Sequence, residues 1–541
     1  MITHSNAALN DIFSKVMIRG DVDERYMVRL GAGERDLETD STHDFTKNGR
    51  VAYSLQRRGQ LLEQVQQISE ALGLSGKAER GADGSPSYTC ETAAIFYQNQ
   101  IRRKLRAFQI EAKEKGLTEG GSDVTVIFPF TSYFKEAAVT WGLSAKLQMK
   151  LASIFDELAE YRPLELLRSQ RQKTDYLLIK QARVVAMTCT HAAIVRTHLL
   201  ELGFEYDNLV IEESGQMTEV DTIIPFLLQK SESDTSDVGL SRLKRVCLMG
   251  DHHQLPPVIK NQTFSRYSNL DQSLFSRLIG SGVPRIQLDK QGRARSDLAR
   301  FYRWRYKDLG DLQHVDSSPS FQGANAGFAH TFQFIEVGDF RGKGETTPTP
   351  FYYQNMGEAE YVVALFQYMV LIGHEPSRIS ILATYNGQKN LIEDVLSQRC
   401  GSGTPLEGIR PAAVSTVDQY QGQQNDFILL SLVRTEALGH LRDIRRWVVA
   451  LSRARLGLYI LGRSELYQTV HDLQPIVKIW DERPHELELV VGETFPTERQ
   501  AKDIVPKDEL FRVEKVDQLG AMVYELQAQL LEHMDTEVTE E

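Results

Sequence analysis

Long apolar runs are missing from this 541-residue chain. The longest, residues 361–373, contains Gln367 and is too short to span a bilayer. No charged segment followed by an apolar one opens the sequence, which predicts an intracellular protein with no membrane partner. The four cysteines lie far apart and form no CxxC pair. Neither a disulfide framework nor a cysteine-based metal site is therefore expected.

An excess of positive charge is also missing. The 62 lysines and arginines are outnumbered by 73 acidic residues, so the formal net charge is −11. This balance argues against a generally basic nucleic-acid coat, but a groove needs only local basic residues to hold phosphates. Two local basic sets exist, and each fits either phosphate binding or a solvated helix face. They are Arg293, Arg295, Arg300, Arg303, Arg305 and Lys307, and then Arg442, Arg445, Arg446, Arg453 and Arg455.

Three apolar segments in the first half of the chain each run into polar side chains. Residues 184–187 lead to a Thr-Cys-Thr-His string, residues 209–211 to two adjacent carboxylates, and residues 245–249 to a Gly-Asp pair. Such segments are typical of buried parallel strands that end at one crevice, where α/β proteins bind ligands. The two acids, Glu212 and Glu213, can hold Mg²⁺ and orient an attacking water. Taken alone, they equally fit a solvated acidic turn.

A second series of strand candidates follows, separated by helical stretches. These candidates are residues 334–337, 379–384, 412–417, 427–432 and 458–462. The two series together predict an α/β protein with two tandem parallel-sheet lobes. We place the first lobe at residues 1–40 and 181–284, a mostly helical insertion at 41–180, the second lobe at 285–470 and a C-terminal extension at 471–541. Within the insertion, residues 124–130 predict one strand, and no recognisable chemistry is found.

Six short motifs stand at the predicted strand ends, in the order found in superfamily 1 helicases. They are residues 3–6 (THSN), 212–216 (EESGQ), 250–257 (GDHHQLPP), 384–388 (TYNGQ), 417–426 (VDQYQGQQND) and 449–455 (VALSRAR). They resemble helicase motifs Ia, II, III, IV, V and VI respectively. One such match carries little weight, but six in order make the resemblance specific.

Further stretches resemble one family within that superfamily, the Aquarius family of intron-binding spliceosomal helicases. They are residues 87–93, 187–193, 250–261, 291–295, 353–355 and 438–443. This resemblance runs from Ile2 to beyond Pro496 and includes segments outside the shared helicase motifs. It implies two RecA-like lobes that close on ATP and Mg²⁺. It also implies pre-mRNA intron RNA and spliceosomal proteins as partners, and a location in the nucleus.

The resemblance also implies residue roles in ATP hydrolysis. The catalytic set is Glu212, Glu213, Gln254, Arg293 and Arg453, and the nucleotide-binding set is Gln254, Arg293, Gln421, Gly422 and Arg453. Glu212 takes the Mg²⁺ position and Glu213 the position that orients the attacking water. Gln254 would sense the γ-phosphate. The two arginines would neutralise charge on the transferred phosphoryl group, since a planar guanidinium matches phosphate oxygens. Outside these motifs, each arginine would be expected in a surface ion pair.

RNA is expected across the strand ends of both lobes. The implied RNA-binding residues are Thr3, Ser5, Asn6, Thr188 and Thr190 in the first lobe, and Thr384, Tyr385 and Gln388 in the second. Small hydroxyl and amide groups suit contacts that position a backbone without reading its sequence. Each of these residues equally fits a helix cap or a turn, with Ser5 or Asn6 expected to cap the first helix.

The largest departure from the family pattern is a missing phosphate loop. No G-x-x-x-x-G-K-[ST] sequence occurs, and the near match at residues 338–344 lacks the final hydroxyl residue, so we interpret it as a flexible loop. Because the family carries this loop just upstream of motif Ia, we expect the chain to be a fragment of a longer protein that alone hydrolyses ATP poorly. Two smaller departures are Gly292, where an aromatic is common, and Gln424, where a glutamate is usual.

Two other functions remain open on the sequence. A non-hydrolysing scaffold with a helicase fold is favoured by the missing phosphate loop, but it would have no need of the complete catalytic set. A DNA helicase or helicase-nuclease of the same superfamily is the third alternative. The Aquarius-like insertion argues against it.

Overall fold

The computed structural model describes residues 1–32, 44–74, 87–230 and 242–540. The described residues form two compact units, Met1–Met249 and Gly250–Glu541. Each unit contains one five-stranded sheet flanked by helices. The predicted α/β class with two parallel sheets is therefore confirmed, while the finer domain borders drawn from the sequence stay a proposal.

The first unit is built on a parallel sheet of short strands. Its strands are β1 (Ile2–Thr3), β2 (Met27–Arg29), β3 (Val184–Thr188), β4 (Asn208–Ile211) and β5 (Arg245–Leu248). Their order across the sheet is β2-β3-β1-β4-β5, and every pairing is parallel. The helices α1 (Asn6–Arg19) and α8 (Cys189–Leu202) pack on this sheet, and α9 (Glu219–Ile223) packs on α8. Because the strands are parallel, their polar carboxyl ends share one edge.

The insertion is helical, as predicted, with its own apolar core. Its helices are α2 (Lys47–Ala71), α3 (Cys90–Phe96), α4 (Arg102–Glu114), α5 (Thr131–Phe134), α6 (Trp141–Leu166) and α7 (Gln170–Tyr176). The predicted strand at residues 124–130 is wrong. The backbone turns there, and the amides of Ile127 and Phe128 both donate to the carbonyl of Val124. The alternating apolar residues that suggested a strand instead place Phe128 and Phe130 in the helical core.

One strand of the first unit is less buried than expected. β5 pairs with β4 on one side only, at the end of the strand order. Val246 keeps 40% of its surface exposed, and Cys247 is also exposed. The prediction that residues 245–249 form a fully buried strand is therefore wrong, since the apolar run indicated a strand but not its position at an edge.

The second unit is built on a longer parallel sheet. Its strands are β8 (Phe332–Glu336), β11 (Ile379–Ala383), β12 (Ala413–Thr416), β13 (Asn425–Ser431) and β14 (Ala454–Gly462), in the order β12-β11-β13-β14-β8. The helices are α10 (Gln262–Tyr267), α11 (Leu274–Gly280), α12 (Ser296–Arg303), α13 (Gln313–Ser317), α14 (Pro319–Gln322), α15 (Met356–Leu371), α16 (Asn386–Arg399), α17 (Ile444–Leu451), α18 (Glu465–Gln468), α19 (Gln474–Trp480) and α20 (Val516–Glu540). Apolar clusters lie on both faces of the sheet, as continuous apolar strands require.

Three small sheets of the second unit were not predicted. They are the parallel pair β6 (Lys290–Gln291) and β7 (Gly310–Asp311), the hairpin of β9 (Glu345–Thr349) and β10 (Tyr352–Asn355), and the antiparallel pair β15 (Leu487–Val490) and β16 (Leu510–Val513). Among the described residues, no helix is both long enough and apolar enough to cross a membrane.

Candidate nucleotide and RNA site

The carboxyl ends of the first sheet bring three predicted site residues side by side. Thr3 ends β1 and lies opposite Thr188, which ends β3. On the other side of β1, the amide of Glu212 donates to the carbonyl of Ile2 at 2.8 Å. These three residues therefore lie side by side at one edge of the sheet, where the sequence pattern of apolar segments ending in polar residues places them.

Glu212 and Glu213 differ in their surroundings. Burial, and secondarily the charge of Glu213, raise the pKa of Glu212, while Lys15 of α1 opposes the shift. Glu213 has a positive φ of 55°, which is uncommon for a residue other than glycine. Its carboxylate accepts a hydrogen bond from the Gln216 side-chain amide at 2.6 Å. A partly desolvated carboxylate beside one held by an amide suits a cation ligand and a water-orienting group.

The RNA-binding residues predicted in the first unit fall into two groups. Thr3 is fully buried and its hydroxyl donates to the carbonyl of Ser5, which does not fit direct contact with RNA. Ser5 and Thr188 cap α1 and α8, as their side chains accept from backbone amides. The prediction of Ser5 as a helix cap is thus confirmed. Asn6 and Thr190 are exposed, although the Asn6 amide oxygen also accepts from Arg29 at 2.8 Å.

In the second unit, Gln254 meets Arg453. One guanidinium nitrogen of Arg453 donates to the Gln254 amide oxygen at 3.3 Å, although the two residues stand 199 positions apart. Arg453 is almost fully buried, and its remaining nitrogens donate to the carbonyls of Val449 and Gln423. A buried arginine held in this way keeps its guanidinium plane fixed, which is what recognition of phosphate oxygens requires.

Two residues that sequence reasoning missed complete this contact. Asp251 accepts from the Gln254 side-chain nitrogen at 2.8 Å and from the Tyr306 hydroxyl. Because Asp251 takes the amide nitrogen, the amide oxygen of Gln254 is left facing Arg453. Burial and the nearby Asp251 carboxylate raise the pKa of Tyr306, so this hydroxyl stays a donor. The sequence held a signal for Asp251 in the Gly-Asp strand end, but none for Tyr306.

Arg293 is held next to these residues. Its Nε donates to Gln424 at 2.7 Å and another nitrogen donates to the Ser452 carbonyl at 3.1 Å. The neutral Gln424 therefore keeps an arginine contact despite replacing the usual glutamate. The absence of an aromatic side chain at Gly292 has a steric cause, since a Cβ there would lie 2.6 Å from the His314 ring. The sequence showed the missing aromatic but not this obstacle.

The loop before β13 contains a buried side-chain amide nitrogen beside a glycine. The side-chain nitrogen of Gln421 is buried and has no hydrogen-bond partner among the described residues, and buried donors of this kind are rare. Gly422 follows with a φ of 85°, a conformation natural only to glycine. An unpaired amide beside a glycine suits a ligand with acceptor oxygens, so these residues fit a phosphate-bearing group.

The RNA-binding residues predicted in the second unit are buried and internally bonded. Gln388 is fully buried, and its amide bonds to the backbone of Asn355 and to Ser431. The Thr384 hydroxyl donates to the Leu432 carbonyl. Tyr385 is also nearly buried, and its ring packs against other aromatic side chains. Direct RNA contact by these three residues does not fit the structure, since their polar groups already have partners.

Five of the eleven residues in the two basic sets form ion pairs within the described part of the chain. Arg300, Arg303, Arg445, Arg446 and Arg455 each lie within 4 Å of a carboxylate of the second unit. Burial lowers the pKa of Arg295, another residue of the first basic set, to about 10. Ion pairing within the second unit, rather than phosphate binding, therefore accounts for these five arginines.

The near match to a phosphate loop is a tight turn. Phe340 and Lys343 exchange two backbone hydrogen bonds, and both intervening residues have positive φ. This is the geometry of a tight two-residue hairpin, and the expected flexibility of this loop stays a prediction. A reversal of this kind leaves no run of amides around an anion.

The comparisons agree with this geometry. Two family models, each described as an AAA domain, match residues 1–262 and 270–465. The chain is 48% identical to the RNA helicase aquarius of Mus musculus over 98% of its own length and 36% of the relative. It is 30% identical to the pre-mRNA-splicing factor cwf11 of Schizosaccharomyces pombe over 87% of its own length and 36% of the relative.

The chain thus spans about a third of the length of the curated relatives it matches. Among solved structures, the chain aligns with the crystal structure of Arterivirus nonstructural protein 10, a helicase. The TM-score is 0.24 and the sequence identity 15%, over 52% of this chain and 42% of that one. Because the similarity to RNA helicase aquarius covers almost the whole chain and both halves match AAA domains, the protein belongs to the aquarius family of superfamily 1 helicases.

Proposed function

We propose that this chain forms the nucleotide-coupled, RNA-binding part of an ATP-dependent RNA helicase that acts on intron RNA during pre-mRNA splicing in the nucleus. The observation that carries the proposal is the contact between Gln254 and Arg453. Two side chains from separate helicase motifs meet although they are distant in sequence, and Asp251 fixes the orientation of the amide. The names of the two relatives, an RNA helicase and a pre-mRNA-splicing factor, support the same function.

ATP and Mg²⁺ are the cofactors of this proposal. Glu212 would hold the cation, which when bound neutralises negative charge on phosphate oxygens. Glu213, oriented by Gln216, would take a proton from water or orient it. Arg293 and Arg453 would offer their guanidinium groups to phosphate oxygens. Gln254 would report the presence of the last phosphate, and the unpaired Gln421 amide and Gly422 would line the nucleotide pocket.

RNA would be held at the exposed strand ends of the first unit. Asn6 and Thr190 are exposed, and Ser5 and Thr188 are partly exposed. Their hydroxyl and amide groups suit sugars and phosphates rather than base edges. Binding that tolerates any sequence is the expected result, with spliceosomal proteins as the remaining partners. In the second unit, the buried Gln388 and Thr384 would support the strand ends rather than contact RNA.

The test is ATP hydrolysis by the purified chain, measured with and without single-stranded RNA. Because the 541 residues contain no G-x-x-x-x-G-K-[ST] loop, turnover should stay far below the roughly 1 s⁻¹ at which ordinary enzymes begin. RNA should raise this small rate, and Glu213→Gln should remove it. Glu201→Gln, which neutralises an exposed carboxylate on α8, serves as the matched control. A hydrolysis rate that RNA does not change, or that is the same in Glu213→Gln as in the wild type, would contradict the proposal.

The missing phosphate loop favours a second candidate, a non-hydrolysing scaffold that binds RNA or protein. In that case RNA would bind, but no hydrolysis dependent on Glu213 would be found. A DNA helicase is distinguished by comparing DNA with RNA of the same sequence. Stimulation by RNA alone supports the first proposal, and stimulation by DNA alone overturns it.

A further inference from the structure

The helical insertion carries a segregated patch of positive charge. Residues 97–110 and 141–155 contain six basic and no acidic side chains, in a chain whose net charge is −11. Five of the six are exposed, and we call these five the basic face: Arg102, Arg103, Arg106, Lys146 and Lys150. Acidic residues resume at Glu111 on α4 and at Asp156 on α6, so the patch is bounded along both helices.

Packing within the insertion places the basic face on one surface. α4 and α6 run antiparallel, because the Tyr97 ring stacks on Phe155 at 4.6 Å while Phe108 meets Trp141 at 5.6 Å. The side-chain amide of Gln109 also donates to Gln148 at 3.2 Å, which links the two helices on their exposed side. The apolar sides of both helices are buried in the core of the insertion, so their basic sides point outward together.

The basic face lacks the carboxylate partners found elsewhere. Within the described ranges, no ion pair forms with Arg103, Arg106, Lys146 or Lys150, in contrast to the paired arginines of the second unit. Among the described residues, Arg102 donates only to Gln98, four positions before it in the chain. Arg102 and Arg106, like Lys146 and Lys150, are like charges four positions apart on one helix. Such pairs repel, so this arrangement destabilises the insertion slightly unless an anion neutralises it.

We propose that the basic face binds the phosphate backbone of RNA, as a second contact surface separate from the strand ends that carry the helicase motifs. The inference rests on the proposed RNA function and extends it to the insertion. Three of the five side chains are arginines, whose fork matches phosphate oxygens. The other two are lysines, which protein interfaces contain less often than the rest of a protein surface, and the exposed apolar neighbours of the basic face, Ile110 and Met149, are not aromatic anchors. Phosphates therefore fit this surface better than an acidic protein.

The experiment measures binding of a labelled single-stranded RNA by fluorescence anisotropy between 50 and 200 mM salt, roughly the range over which phosphate contacts change affinity strongly. The test variant combines Arg103→Gln, Arg106→Gln, Lys146→Gln and Lys150→Gln. The control combines Lys115→Gln, Arg162→Gln, Arg242→Gln and Arg399→Gln, which removes the same charge from exposed ion pairs.

The test variant should bind RNA at least about a hundredfold more weakly at 50 mM salt, and its salt slope should fall by about 2 to 3, since each phosphate contact contributes about 0.7. The control should stay within about twofold of the wild type at the same salt. If circular dichroism shows that the combined variant is unfolded, the salt slope of the single variant Arg106→Gln is measured instead. It should lower the slope by about 0.7.

The outcomes separate this inference from the proposed function. If the wild type binds RNA and the test variant binds it with the same affinity and slope, the inference is wrong and the proposed function stands. If the wild type binds no RNA, both fail. If the test variant keeps RNA binding but loses binding to polyglutamate, the basic face serves an acidic protein, and the inference is overturned.

Discussion

Glu358 makes the stability of the second unit depend on pH. It lies in the first turn of α15 and is fully buried. Its carboxylate accepts from the Ser431 hydroxyl at 2.6 Å, from the Val433 amide at 2.8 Å and from the Asn355 side chain at 3.1 Å. Despite these hydrogen bonds, burial raises the pKa of Glu358 from 4.5 to about 7, because an ionised carboxylate is poorly solvated there.

The size and sign of the effect follow from this pKa. The folded protein holds the Glu358 proton more tightly than the unfolded chain does. Its contribution to stability is therefore fully present below pH 4.5 and is lost as the pH rises through 7. The difference corresponds to about 3 kcal/mol of unfolding free energy. Glu358→Gln, which cannot ionise, should remove this pH dependence.

Hydrogen exchange of β13 peptides at pH 5.5 and 8, corrected for intrinsic exchange rates, measures the effect locally. Wild-type protection should fall by about 2 kcal/mol relative to Glu358→Gln, which is the part of the difference that is lost between pH 5.5 and 8. The matched control Glu393→Gln, at a carboxylate that is 49% exposed, should behave like the wild type. If the wild type and Glu358→Gln change in parallel across this range, the reasoning about burial is refuted.

Two further predictions concern packing in the second unit. Gly292→Ala should cost about 1–3 kcal/mol in urea unfolding, since its Cβ would meet His314. His314→Ala should restore only part of that loss, since the added Cβ would also lie 2.8 Å from Leu312, and a neutral Gly292→Ala would contradict the clash. Arg434→Ala should cost about 3 kcal/mol, because it leaves the buried carboxylate of Glu345 without its cation. Adding Glu345→Gln should recover part of the loss in the same assay, and an additive double variant would show that the two residues are not coupled.

The strands of the second sheet were predictable because their signal is local. β11, β13 and β14 each contain a short run of large apolar residues, such as Phe427–Leu430 in β13, as strands buried on both faces require. Their observed bounds lie within a few residues of the predicted ones. The polar strand ends were predictable for the same reason, since each polar residue directly follows its apolar run.

The partners of buried polar side chains could not be predicted. Gln388 bonds to Asn355, 33 positions away, and Thr384 bonds to Leu432, 48 positions away. A motif indicates a polar residue at a strand end, but it does not reveal whether that group faces a ligand or the protein interior. The same limit hid Tyr306, whose partner Asp251 is 55 positions distant.

Coupling between nucleotide and RNA is the central claim, and one binding measurement tests it most directly. The affinity of the purified chain for single-stranded RNA is measured without nucleotide and with millimolar Mg²⁺ and a non-hydrolysable ATP analogue. The coupling free energy between two linked binding sites is typically about 1–3 kcal/mol, so the analogue should change RNA affinity by about 5-fold or more. RNA binding that is equally tight in both conditions would contradict the helicase account and identify a scaffold.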